Sequence, residues 1–155
     1  GNMGSDQRFD YTCLGDGVNT AARLEGQSKN YGVKIIIGEN TAKLVDKIYA
    51  TVKLDCLAVK GKTKGVNLYT VLGTHDWCME NTSYVVDEQQ HNKMLELYNM
   101  QLWDAATKFC LDLKKSNAFR GALDDYYDLW IKRIEEMSKM DLPANWDGIY
   151  RATSK

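Results

Sequence analysis

Apolar positions in the first 73 residues switch between a period of two and a period of 3.6; later residues keep to the longer period. Residues 9–14 are aromatic and β-branched and predict a strand. Asp16 is placed to cap a helix running from about residue 18 to residue 30, which Gly32 then breaks. Residues 33–37 are apolar except for Lys34 and predict a short strand buried on both faces. Asn40 or Thr41 can cap a second helix that holds Ala42, Val45 and Ile48. Val52, Leu54 and Cys56 alternate as a strand should. Lys60-Gly61-Lys62 turns the chain, and residues 67–72 return as a last strand. The pattern is α+β.

Residues 74–86 show no clear period and read as a connector. Beyond it the pattern is helical, so residues 87–155 form a helical extension with a terminal tail. Met94, Leu97 and Tyr98 make one apolar stripe, and Ala106, Phe109, Cys110 and Leu113 a second. Leu123, Tyr126, Tyr127, Trp130, Ile131, Ile134 and Met137 make a third, long and regular. The only proline, Pro143, follows it where a helix stop belongs. The stretch from Tyr98 to Leu113, with Trp103 opening its second helix, resembles one tetratricopeptide helix pair. A single pair cannot bury its own faces, so the third helix is expected to cap it.

Composition narrows the function classes. A net charge of −1 provides no basic field for nucleic acid or an anionic membrane. No apolar run approaches the roughly 20 residues that a membrane span requires. Cys13, Cys56, Cys78 and Cys110 are widely spaced, form no C-x-x-C pair and do not cluster with His75 or His91. Free thiols in a cytoplasmic protein are the expected reading, with no metal site among them.

The candidate chemistry lies in GDGVNTAARLE, residues 15–25. Asn19 and Arg23 are four residues apart, so on a helix they share a face. An amide and a guanidinium at the mouth of a strand–turn–helix form a donor pair suited to a phosphorus centre gaining negative charge. The block resembles the signature of class III adenylate and guanylate cyclases. Three further blocks follow that family's order: GNMGSDQRFDYT as a G-N-x-G-S turn and the next strand, YGVKIIIGENTAKLV, and LAVKGKTKGVNLYTVLG. The resemblance covers residues 1–73. It implies the C-terminal part of a ferredoxin-like cyclase domain, acting on ATP as a homodimer.

In such enzymes the ribose 3′-oxygen attacks the α-phosphorus, releasing pyrophosphate and a 3′,5′-cyclic nucleotide. The resemblance gives Asn19 the ribose and Arg23 the charge developing at the α-phosphate. Without the flanking blocks both would read as ordinary helix-surface residues. Thr12 matches the position that reads the base, and its hydroxyl can accept from the adenine amino group. Lys60 matches a triphosphate-binding lysine, and its plain alternative is an exposed turn residue. Arg8 can reach the phosphates from a partner subunit or be a simple edge-strand charge. Asp16 reads as a cap and not as a metal ligand.

Mg²⁺ or Mn²⁺ is implied by the family, but the two aspartates that hold the metals belong to a segment that precedes the residues matched here. The chain alone is therefore expected to be inactive. Loss of that segment leaves the strand at 9–14 without its neighbour, an edge that invites pairing with another chain. The alternative is a helical dimerisation or regulatory module attached to a truncated or non-catalytic cyclase half.

Overall fold

The structure, a computed structural model, describes residues 2–5, 8–11, 15–58, 64–80 and 83–151; for 2–5, 8–11 and 16 it describes the backbone alone. It is a mixed α and β arrangement, as the periodicity predicts. β1 (Asn2–Ser5) pairs antiparallel with β2 (Arg8–Tyr11), Asn2 opposite Tyr11 and Ser5 opposite Arg8. The G-N-x-G-S segment was expected to be a turn and is a strand instead. The backbone groups of β2 take their partners from the residues just before them.

α1 (Asp16–Glu25) starts after Gly15, whose φ of 139° favours glycine. Asn19 N–H donates to Gly15 O at 3.0 Å. Gly15 is thus the cap, and Asp16 is the first helical residue, a position that suits an acidic residue type. The expected helix over 18–30 is divided. Glycine at 26, a poor helix former, ends α1, and α2 (Ser28–Tyr31) follows as a separate turn.

β3 (Ile37–Gly38), β4 (Tyr49–Leu57) and β5 (Val66–Thr74) form an antiparallel sheet in the order β3-β5-β4. The strand expected over 33–37 shrinks to Ile37–Gly38, opposite Tyr69 and Leu68. Residues 33–36 instead carry the chain from α2 to the sheet, which leaves Lys34 and Ile35 exposed. α3 (Glu39–Val45) is capped by Gly38, not by Asn40 or Thr41, and ends before Ile48, which is exposed.

The connector expected over 74–86 begins and ends as helix. α4 (His75–Met79) is capped by Thr74, whose hydroxyl accepts from Trp77 N–H at 3.2 Å. Gly73 leaves room for the Trp77 ring: a Cβ there would lie 2.9 Å from it. Five residues are too few to show a helical period in the sequence. α5 (Tyr84–Asn99), α6 (Trp103–Lys115) and α7 (Asp124–Ser138) carry the three predicted stripes. α5 packs on α6 and α6 on α7. A short 3₁₀ turn (Ala118–Gly121) joins the last two, with Phe119 and Arg120 at positive φ. Asp87 Oδ2 accepts from Phe119 N–H at 3.1 Å, and the buried Phe119 ring holds this unfavourable backbone in place.

The apolar core is continuous across both parts of the chain. Leu24, Tyr31, Val52, Leu54 and Leu68 belong to the same cluster as Met94, Tyr98, Trp130 and Met137. The helical segment also covers the outer edge of β4. A bulge between Lys53 and Asp55 turns two carbonyls outward. Lys53 O accepts from His91 Nε2–H at 2.6 Å, and Leu54 O accepts from Tyr126 O–H at 2.5 Å. Farther along, Tyr150 N–H donates to Cys56 O and Ala58 N–H to Tyr150 O, both at 3.0 Å. A strand edge that would otherwise template association is thereby occupied.

Cys56, Cys78 and Cys110 are free thiols; Cys13 lies outside the described residues. Burial pushes Cys110 up to about 12 and raises Cys56 and Cys78 as well. In the native chain at pH 8, an alkylating reagent should modify half-buried Cys56 before Cys78 or Cys110. Peptide mapping that found Cys110 labelled first would contradict this packing.

Candidate functional site

α1 presents Asn19 and Arg23 together. At 100° per residue the two lie about 40° apart around the axis, and both are exposed. Leu24, 4% exposed, points away from both and holds the helix to the core. Among the described residues the Arg23 side chain makes no ion pair or hydrogen bond. A guanidinium held on a helix and left unpaired keeps its donors available for an anionic ligand.

Thr12 and Lys60 lie outside the described residues. Arg8 is described only as backbone in β2. A groove of about 510 Å³ runs along the opposite side of α1, bordered by Thr20, Leu24, Asn40 and Lys64. Asn19 and Arg23 do not face it. Among the described residues no three His, Cys, Asp or Glu side chains converge as metal ligands would. The residues described therefore do not by themselves fit the metals that the resemblance implies. No helix among them is long and apolar enough to cross a membrane.

A second polar centre, invisible in the sequence pattern, lies beneath the helices. Asp55 is 2% exposed. Its Oδ2 accepts from Tyr31 O–H at 2.6 Å and from Arg133 Nη1 at 2.5 Å, and its Oδ1 from Cys56 N–H at 2.8 Å. Arg133 Nη2 also reaches Tyr31 Oη at 3.3 Å, and the guanidinium lies 3.7 Å from the Tyr150 ring centre. Burial works against the Arg133 charge, but the Asp55 carboxylate outweighs it and keeps the guanidinium firmly protonated. Burial and the same carboxylate raise the Tyr31 hydroxyl. In the sequence Asp55 falls with Thr51 and Lys53 on the polar side of the alternation made by Val52, Leu54 and Cys56, which reads as a solvent-facing position. The bulge at Leu54 turns it inward.

His91 is a third buried polar group. Its Nε2–H donates to Lys53 O, and its Nδ1 accepts from Tyr127 O–H at 2.8 Å. Burial lowers its pKa to about 4, against a smaller opposing effect of the Lys53 carbonyl.

No family model and no solved structure matches the chain. Curated relatives do. The chain is 35% identical over 74 residues to adenylate cyclase 1 of Rhizobium meliloti (strain 1021), covering 47% of this chain and 11% of that protein. It is 35% identical over 82 residues to an adenylate cyclase of Anabaena cylindrica, covering 46% and 15% respectively. It is 35% identical over 75 residues to the terminal-differentiation specific adenylate cyclase of Dictyostelium discoideum, covering 46% and 4%. The chain thus spans between 4% and 15% of the length of these relatives. Over about half its own length, it is related to proteins named adenylate cyclases.

Proposed function

We propose that this chain is the C-terminal part of a class III adenylate cyclase domain with a tetratricopeptide-like helical extension, and that its parent converts ATP to 3′,5′-cyclic AMP and pyrophosphate in the cytoplasm. The observation that carries the reading is the exposed, unpaired Arg23 one turn from Asn19, in a chain related to three adenylate cyclases. Arg23 stabilises charge at the α-phosphate and Asn19 orients the ribose. Thr12 reads the adenine amino group, Lys60 binds the triphosphate, and Arg8 approaches the phosphates across a homodimer. The metal ions supply nucleophile activation when bound. Their aspartate ligands belong to a segment other than the one described here.

The test uses the purified chain and a longer protein that includes the preceding cyclase segment. The chain alone should make no cyclic AMP with Mg²⁺ or Mn²⁺. The longer protein should, and Arg23→Ala should lower its kcat about a hundredfold, the usual cost of removing one positioned donor to developing charge. Thr12→Ala should relax the preference for ATP over GTP by up to about tenfold. Cyclic AMP from the purified chain alone would overturn these roles. So would full turnover by the Arg23→Ala variant.

A further inference from the structure

Asn19 and Arg23 can act together on a phosphate only if the helix that carries them is held at one place. α1 has little of its own to hold it. Leu24 is its one buried residue, and the rest of the described helix is open or partly open to solvent. Leu24 packs it against β3 beside Gly38, and a second hold lies farther along the chain. α1 continues into α2 through Gln27, whose N–H donates to Leu24 O at 2.9 Å and whose carbonyl accepts from Tyr31 N–H at 3.2 Å. α2 ends in Tyr31, 1% exposed, and in Gly32, its C-cap.

Two contacts with α7 fix that end. The Tyr31 hydroxyl is bonded to Asp55 and to Arg133, so a side chain of the last helix and a side chain of β4 both hold it. Gly32, at φ 64°, lies directly against the first turn of α7. A Cβ at this position would sit 2.8 Å from Asp125 Cβ and 3.1 Å from the Asp125 carbonyl carbon. No side chain fits there, so the two backbones meet in a single register. Asp125 and Arg133 are eight residues apart, about 12 Å along α7. The last helix therefore grips the end of the α1–α2 unit at two separated points.

We infer that α7 sets the position of the Asn19–Arg23 helix, with Arg133 as a positioning residue that acts on the site through Tyr31. The inference rests on the cyclase reading of Asn19 and Arg23, and it gives the helical extension a part in catalysis. Arg133 touches no substrate in this scheme. Its guanidinium fixes the Tyr31 hydroxyl, Tyr31 fixes α2, and α2 fixes α1.

Tyr31→Phe is the informative variant, because it keeps the ring in the core and removes only the hydroxyl. Arg133→Lys keeps a cation beside Asp55 and gives up the second bond to Tyr31. Gly32→Ala pushes α2 away from α7 and leaves Tyr31, Asp55 and Arg133 unsubstituted. Amide hydrogen exchange on this chain should speed up by about tenfold or more over residues 16–31 in all three variants, and by clearly less in β4 and β5. In the longer protein, kcat should fall by about tenfold to a hundredfold with the KM for ATP within about twofold, as expected for a small misplacement of the reacting pair.

Unchanged exchange over 16–31 in Tyr31→Phe would overturn the inference. Exchange raised equally through β4 and β5 would also overturn it, because that marks general loss of stability. A raised KM with unchanged kcat would remove the positioning role. A longer protein that makes no cyclic AMP, with the exchange pattern as expected, overturns the cyclase reading and leaves the grip of α7 on α1 standing.

Discussion

Arg133→Met should lower the stability of this chain by about 3–5 kcal/mol, the usual cost of removing one partner from a buried ion pair. The Arg133 side chain is 12% exposed and that of Asp55 1%, so the carboxylate left behind is a buried charge without its cation. Two bonds to Asp55 remain, from Tyr31 and from the Cys56 amide. They satisfy its oxygens without neutralising its charge. The stacking of Arg133 over Tyr150 is lost too, which loosens the tail that pairs with β4. In a domain of this size, Tm should fall by roughly 10 °C. A second variant isolates the cause. Adding Asp55→Asn removes the unpaired charge while keeping an acceptor for Tyr31, so the double variant should be less destabilised than the sum of the two single ones. Urea midpoints at constant slope measure this directly. Strict additivity, with each single change below about 1 kcal/mol, would mean that the pair contributes nothing.

Stability should also fall on mild acidification, through His91. The imidazole is fully enclosed, and its pKa is lowered to about 4 from an ordinary 6.5. The unfolded chain therefore takes up a proton at 6.5 that the folded chain refuses until about 4. Between those values the unfolded state binds more protons, so stability rises with pH and is lost as pH falls. The full loss is roughly 3 kcal/mol, complete near pH 4. The groups around the ring offer the proton little compensation. Tyr127 donates its hydroxyl to Nδ1, the Lys53 carbonyl already holds Nε2–H, and the Phe119 and Tyr126 rings close the remaining sides. His91→Gln can still donate to Lys53 O but cannot titrate. Denaturant curves at pH 7 and pH 4.5 should show the wild-type difference shrinking in that variant. An equal pH dependence in both proteins would assign the acid sensitivity elsewhere.

Both predictions concern contacts between the helical segment and the sheet. They bear on how the two parts of the chain depend on each other. His91, Tyr126, Arg133 and Tyr150 come from α5, α7 and the tail, and each satisfies or covers part of β4. A buried polar contact is costly to leave half made. Removing the helices would expose the β4 carbonyls and leave Asp55 without its cation. The helical segment is thus fitted to this sheet residue by residue.

The sequence by itself determined the elements whose apolar period is long enough to read. The stripe from Leu123 to Met137 is buried as its spacing predicts, with Ile131 at the margin. Asn19 and Arg23 share an exposed face because a spacing of four on a helix allows little else. The relationship to adenylate cyclases was legible in the motif blocks for the same reason: local backbone geometry and local chemistry are written in consecutive residues. Tertiary structure alone decided the rest. The division of the 18–30 helix, the short β3, and α4 inside the expected connector depend on what each segment meets across the fold. Asp55 and Arg133 are 78 residues apart, so nothing in the stretch of chain around either one points to the other. A strand bulge turned one inward, and the packing of α7 placed the other against it. No local period records an interaction whose two halves are brought together only when the core closes.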